Sequence, residues 1–167
     1  YSGGAHKWQN VDETVKFLLS LEDSVTFRVL TTEPEVFRKI FNESNRGHLF
    51  DNDIFSATEN ELIAEYTKAD YGICFRSASL VNSVACPTKI VEYITFGLVP
   101  ILTFEDIGDF RSLGLSLLQK EIILNQGFPS EDTRLDMARN NLSIVDKLDA
   151  IHKSGLSALM EAVSDTL

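Results

Sequence analysis

The sequence predicts an α/β fold in which a parallel sheet is flanked by helices on both faces. Two apolar segments, 70–76 and 97–100, have the composition of buried strands, and a helix that starts at Pro87 separates them. Elsewhere in the chain, short strand-like segments alternate with helical segments of about ten residues, a pattern typical of βαβ units. Parallel neighbours need such crossover connections.

The first half of the chain supplies the outer part of this sheet. Residues 1–4 resemble the end of a strand followed by a glycine turn, and we expect the chain to begin inside a larger protein. Thr32 and Glu35 have the spacing of a capping box, which predicts a helix that ends near Phe41. The other expected elements are a helix from about Asp12, strands over 25–30 and 54–56, and a helix over 59–68.

The second half continues the alternation less regularly. After the strand at 97–100, we expect a turn-rich loop over 104–110 and a weaker strand over 114–118. Helices are expected over 130–140 and 143–163, with a candidate break at Ser154–Gly155. In an open parallel sheet the ligand crevice lies at the carboxyl ends of the strands, where Gly3–Gly4, Arg76 and the segment before Pro87 should converge.

Composition limits the function classes. The 167 residues are 44% hydrophobic, enough for one domain over 1–167. A net charge of −10 without any run of Lys or Arg argues against binding to nucleic acid or to an anionic membrane surface. No segment approaches the roughly 20 apolar residues of a membrane span, and no leader is visible, so we expect a cytoplasmic protein.

Cysteine and histidine give no sign of a metal site. Cys74 and Cys86 are too few and too far apart for zinc, and we interpret both as reduced thiols. The histidines, at 6, 48 and 152, are scattered, and Asp51-Asn52-Asp53 has the composition of a turn. We therefore expect no metal.

The helix that starts at Pro87 carries the strongest chemical signal. Proline suits a first helical position, and the unpaired amides that follow can hold a phosphate. Thr88 adds a hydroxyl donor and Lys89 a positive charge, while Glu92, one turn on, has a carboxylate suited to a ribose diol. Lys89 and Glu92 have an alternative interpretation as an ordinary surface ion pair. Charge favours a site, because the segment 71–103 carries only Arg76, Lys89 and Glu92, in a chain that is otherwise strongly acidic.

With these residues in place, the chain resembles the C-terminal, nucleotide-sugar donor-binding domain of retaining GT-B glycosyltransferases of the group 1 type. The resemblance implies a Rossmann-like domain that forms the C-terminal half of a GT-B fold. It covers essentially the whole chain. It rests on Tyr1-Ser-Gly-Gly4 with Trp8-Gln9, Glu61-Leu62 with Tyr66, Ala69-Asp70, Pro87-Thr-Lys-Ile-Val-Glu-Tyr93, Gly97-Leu-Val-Pro100 and Arg139-Asn-Asn141.

The resemblance implies roles for individual positions. Glu92 matches the second glutamate of the family's Glu-x7-Glu motif, which holds the ribose hydroxyls. Thr88 and Lys89 match residues at the donor phosphates, and Gly3–Gly4 match the glycine turn that approaches them. The loop 56–58 matches the segment that seats the base through backbone groups.

The sequence also departs from the family pattern. Val84 stands where the first motif glutamate would contact the donor sugar, so Asn82 or Ser83 is a candidate replacement. The glycine turn lacks its usual arginine, and the register of Lys7 against the following lysine is ambiguous. Arg76 could supply the missing charge, although a solvated loop arginine is the alternative.

The resemblance implies retaining transfer of a hexose-type sugar from a nucleotide-diphosphate donor to a glycan or lipid-linked acceptor, in surface polysaccharide synthesis. It implies no cofactor and an N-terminal acceptor-binding domain in cis, without which the fragment should bind donor but not turn it over. Peripheral membrane association is expected only through the full-length protein. The alternative is a non-catalytic nucleotide-sugar-binding or regulatory module on the same scaffold.

Overall fold

The computed structural model describes residues 1–21, 25–43, 52–77 and 79–164. Within them the strands are β1 (Val29–Leu30), β2 (Ile54–Phe55), β3 (Tyr71–Cys74), β4 (Val99–Leu102) and β5 (Leu118–Gln119). The helices are α1 (Val11–Ser20), α2 (Pro34–Asn42), α3 (Glu59–Tyr66), α4 (Leu80–Val84), α5 (Thr88–Thr95), α6 (Lys120–Gln126) and α7 (Glu131–Ser164), with 3₁₀ turns at Lys7–Gln9 and Gly108–Phe110.

The strands form two small parallel sheets, which confirms the predicted α/β class with parallel pairing. One sheet pairs β1 with β2, and the other has the order β3-β4-β5. The chain start extends the first sheet, because the Leu30 amide donates to the Tyr1 carbonyl at 2.9 Å and the Gly3 amide donates to the Leu30 carbonyl at 3.0 Å. Gly3–Gly4 therefore follow a strand-like segment, as predicted.

One tyrosine side chain joins the two sheets. The Tyr93 hydroxyl accepts from the Ser2 amide and donates to the Ile73 carbonyl, each at 3.1 Å, so it stands where a backbone bond between the chain start and β3 would lie. Burial raises the pKa of Tyr93 well above its ordinary value, which keeps the donor protonated. The ring lies over Gly72, where a Cβ atom would come within 2.4 Å of Tyr93 Cγ.

Alternating strand residues supply two hydrophobic cores. Ile73, Val99 and Ile101 pack with residues of α1, α2 and α6, whereas Cys74 and Leu102 pack with residues of α3 and α5. Side chains that alternate along a strand point to opposite faces of the sheet. The helices therefore flank the sheets on both faces, as predicted.

Several boundaries in the first half differ from the predictions. Strand pairing covers only Val29–Leu30 of the predicted segment 25–30, because β2 offers a two-residue partner. The Thr32–Glu35 capping box is wrong: α2 begins at Pro34, and its N-cap Glu33 makes no side-chain cap because its carboxylate accepts from the Ala5 amide. A capping box forms instead at α3, between Thr58 and Glu61.

The second half contains two helices that the sequence did not predict, α4 in the presumed loop before Pro87 and α6 after β5. The last strand lies at 118–119 and shares only residue 118 with the predicted segment 114–118. Helix α7 runs without the candidate break at Ser154–Gly155 and without the gap expected after residue 140. It stays helical there because the Asn141 side chain bonds both the amide and the carbonyl of Ser116 at 2.8 Å, rather than its own backbone.

Among the described helices, none has the length and apolar character that a membrane crossing requires.

Candidate functional site

The carboxyl ends of β3 and β4 are tied together next to the glycine turn. The Thr103 hydroxyl, just after β4, accepts from the Arg76 amide at 3.3 Å and donates to the Arg76 carbonyl at 3.0 Å. The Arg76 guanidinium lies 4.2 Å from the centre of the Trp8 ring, and the Ser77 amide donates to the Trp8 carbonyl at 3.4 Å. This rim therefore brings Arg76 to the segment that follows Gly3–Gly4, as the topology predicted.

Arg76 is available to an anion. Its side chain is half-buried, and no carboxylate of a described residue lies within 4 Å of its guanidinium to form an ion pair. Burial raises the pKa of the Cys74 thiol, while the positive charges of Arg76 and Lys89 act on it in the opposite direction. Arg76 follows the end of β3 by two residues, and Lys89 lies in the first turn of α5, which packs against β3.

Helix α5 presents its first turn to this rim. The helix begins at Thr88, one residue later than predicted, and Pro87 is its N-cap rather than its first helical residue. The Ile90 amide is paired with the Pro87 carbonyl at 3.0 Å, whereas the Thr88 and Lys89 amides have no acceptor among the described groups. Thr88 is exposed. Two backbone donors and a hydroxyl therefore face outward at the positive end of the helix.

Lys89 and Glu92 form the i, i+3 ion pair that the alternative interpretation expected. Lys89 Nζ lies 2.6 Å from Glu92 Oε2, and the two side chains are 27% and 36% exposed. Neither group projects freely into solvent. The pair does not itself distinguish a site from a surface contact.

Additional contacts fix the Glu92 carboxylate. The Tyr66 hydroxyl lies 3.1 Å from Glu92 Oε2 and 2.7 Å from the buried Ser2 hydroxyl. Burial raises the pKa of Tyr66, so its hydroxyl stays protonated and can donate to the carboxylate while it accepts from Ser2. Glu92 Oε1 has no hydrogen-bond partner among the described residues. One oxygen is thus anchored to α3 and the chain start, while the other can accept from a ligand.

The glycine turn is already occupied by the chain's own acceptors. The Ala5 amide donates to Glu33 Oε2 at 2.7 Å, and the His6 amide donates to Gln9 Oε1 at 3.2 Å. Neither contact was predicted from the sequence, where Glu33 is marked only by its position between β1 and Pro34. The turn predicted to approach phosphates therefore has two of its neighbouring amides paired internally.

The remaining predicted residues lie at varying distances from this rim. Lys7 is exposed and lines a hollow that also contains Glu13 and Lys120. Asn82 is buried, and its side-chain amide donates to the Ser77 carbonyl at 2.7 Å, so it supports the loop after β3. The side chain of Ser83 lies outside the described residues, as do His48 and Asp51.

The positions that matched weaker parts of the family pattern are placed as follows. Val84 is 69% exposed on α4, and no acidic side chain occupies its position. In the predicted base loop 56–58, the Thr58 amide already donates to Glu61 Oε2 at 2.8 Å. Ala57 packs against the hydrophobic core that contains Tyr66 and Cys74. The role of this loop stays a prediction.

A cavity of about 520 Å³ is lined by residues at and just before the amino ends of β1, β3 and β4, and also by Tyr66. Its walls include Tyr71, Leu98, Glu65 and Lys68, and it does not include Arg76, Lys89 or Glu92. The hollow next to Lys7, about 790 Å³, likewise excludes those three residues. The candidate site is therefore an open rim. It is identified by its charged side chains and unpaired amides and not by an enclosed cavity.

No group of three His, Cys, Asp or Glu side chains in the described part of the chain is arranged to hold a metal ion. The chain matches no protein-family model, no curated protein and no solved structure. The assignment of function therefore depends on the residues and geometry of the rim.

Proposed function

We propose that this chain is a Rossmann-like donor-binding domain of a retaining GT-B glycosyltransferase, and that its rim binds the nucleoside-diphosphate part of a nucleotide sugar. The observation that carries this proposal is the Glu92 carboxylate, which Tyr66 anchors one helical turn from the unpaired Thr88 and Lys89 amides. A fixed carboxylate beside outward-facing amides matches the two chemically different parts of such a ligand, a ribose diol and a diphosphate.

Binding of phosphate would redirect Lys89 from Glu92 to the ligand. A diphosphate carries more negative charge than one carboxylate and offers several acceptor oxygens, so Lys89 can bind it while Glu92 keeps its contact with Tyr66. Arg76, which stacks on Trp8 without an acidic partner among the described residues, adds a second cation.

In sugar transfer these groups would act on the leaving phosphate. As the bond from the anomeric carbon to the phosphate oxygen breaks, negative charge grows on the phosphate, and preorganised donors stabilise it. In our proposal that role belongs to Lys89, Arg76, Thr88 and the first amides of α5. The side chains of Lys89 and Arg76 supply the positive charge that stabilises the leaving phosphate. The acceptor, a glycan or lipid-linked molecule, would bind an N-terminal domain in cis, so this chain alone should bind donor without turnover.

Two observations favour a second candidate, a non-catalytic nucleotide-sugar-binding module on the same scaffold. Val84 leaves the sugar side without the family's first carboxylate. In addition, the negatively charged Glu33 side chain accepts the hydrogen bond of the Ala5 amide, next to the glycine turn. The absence of a carboxylate at Val84 would weaken action on the sugar rather than nucleotide binding, because Val84 lies on α4 and not on α5, which carries Glu92.

Lys89→Ala is expected to weaken UDP, GDP or ADP binding about tenfold, because it removes a charge-assisted contact to phosphate. Calorimetry gives the affinity, and circular dichroism checks that the fold is intact. Lys68→Ala is the matched control, since Lys68 forms the same i, i+3 pair with Glu65 at 3.0 Å but lines the amino-end cavity. Equal affinities for Lys89→Ala and the wild type, or a loss confined to Lys68→Ala, would refute the proposed site.

A further inference from the structure

Glu33 holds an unusual position at the rim. It lies three residues after the end of β1 and directly before Pro34, and its own amide donates to the Thr31 hydroxyl at 3.1 Å, which fixes the backbone there. Its carboxylate reaches across to the chain start and accepts the Ala5 amide at 2.7 Å. Within the described residues, no Lys or Arg lies within 4 Å of this carboxylate to neutralise it.

The carboxylate lies over the open side of the glycine turn. A Cβ atom built on Gly4 would be 3.2 Å from Glu33 Oε2 and 3.4 Å from Gln9 Oε1, so both acceptors lie where the absence of a side chain leaves space. The charge of Glu33 is also felt by the neighbouring Tyr1 phenol, whose pKa is raised mainly by burial and further by Cys74 and Glu33. A negative group is thus held where a phosphate oxygen would have to come.

We propose that the Glu33 carboxylate competes with ligand phosphate for the Ala5 amide, and so sets the affinity of this rim for diphosphates. One amide hydrogen cannot serve two anions at full strength, and two negative groups that approach the same amide repel each other. The inference rests on the proposed function for the identity of its ligand, a nucleoside diphosphate. The competition itself concerns any diphosphate.

Two substitutions separate the charge from the hydrogen bond. Glu33→Gln keeps an acceptor for the Ala5 amide and removes the charge, whereas Glu33→Ala removes both. Glu35→Gln is the matched control. It also removes one negative charge, but Glu35 lies two residues after Glu33, and its exposed side chain pairs with Arg38 instead of the Ala5 amide. Competition predicts that Glu33→Ala binds UDP and inorganic pyrophosphate about tenfold more tightly than the wild type, with Glu33→Gln between them and Glu35→Gln unchanged.

The readout is calorimetry, together with the ¹⁵N–¹H resonance of Ala5 during titration with pyrophosphate. In Glu33→Ala the Ala5 resonance should shift with ligand, and in the wild type it should shift less. An unchanged affinity and an unmoved Ala5 resonance in Glu33→Ala would overturn the inference.

The same titrations separate this inference from the proposed function. If UDP binds the wild type with the same affinity as Glu33→Ala, the proposed function stands and the role of Glu33 fails. In a second outcome, pyrophosphate shifts the Ala5 resonance only in Glu33→Ala, and no variant binds UDP, GDP or ADP better than it binds pyrophosphate. The competition then stands, and the proposed recognition of a nucleotide fails. If no variant binds either ligand, both are wrong.

Discussion

Gly72→Ala is expected to lower the free energy of unfolding by about 3 kcal/mol, near the upper end for overpacking of a core. The new methyl carbon would lie 2.4 Å from Tyr93 Cγ, and the ring that it meets is only 1% exposed. Tyr93 cannot move aside cheaply, because its hydroxyl pairs the Ser2 amide with the Ile73 carbonyl. The substitution should therefore disturb the junction between the two sheets, and urea unfolding measures the loss.

Gly155→Ala is the matched control for this experiment. Gly155 lies in α7 with open space where a Cβ would be, so alanine there should leave stability unchanged or raise it by up to about 1 kcal/mol. If Gly72→Ala were as stable as Gly155→Ala, the Tyr93 bridge would not be the junction that the structure describes.

Glu92→Gln is expected to weaken the binding of ribonucleoside diphosphates about thirtyfold, a change of about 2 kcal/mol. The amide keeps the size of the side chain but removes the charge that holds the ribose diol. Lys89 also loses its 2.6 Å partner and becomes freer to contact phosphate. The affinity for inorganic pyrophosphate should therefore stay constant or rise, while the affinity for UDP, GDP or ADP falls. Competition calorimetry with the two ligands measures both.

Glu65→Gln provides the corresponding control. Glu65 also pairs with a lysine three residues away, but it lines the amino-end cavity. Its substitution should leave both affinities unchanged. A parallel loss of UDP and pyrophosphate affinity in Glu92→Gln would mean that the carboxylate supports the fold of α5 rather than a ribose.

The central part of the fold could be predicted because its signals are local. β3 and β4 are continuous apolar runs between turn residues, and Pro87 marks the start of α5 to within one position. The short helix α4 could not be predicted, since residues 80–84 have little helical pattern and lie in a polar segment. The link between the sheets was equally inaccessible, because Tyr93 acts on Ser2 across 91 positions.

The candidate site likewise contains some residues that local sequence patterns predict and others that they do not. Thr88, Lys89 and Glu92 share one helical turn, so their proximity follows from the period of the helix. Arg76 follows from its place at the end of a strand. Glu33 and Tyr66 reach the rim through contacts that span 28 and 26 positions, and no local pattern announces them.

The most direct test of the account is to map where a nucleotide binds. The ¹⁵N-labelled chain is titrated with UDP, GDP and ADP, and amide shifts are followed at the rim and at the amino-end cavity. We predict the largest shifts at Arg76, Thr88 and Lys89. Shifts that cluster instead at Tyr71 and Leu98, or no shifts with any of the three nucleotides, would contradict the account.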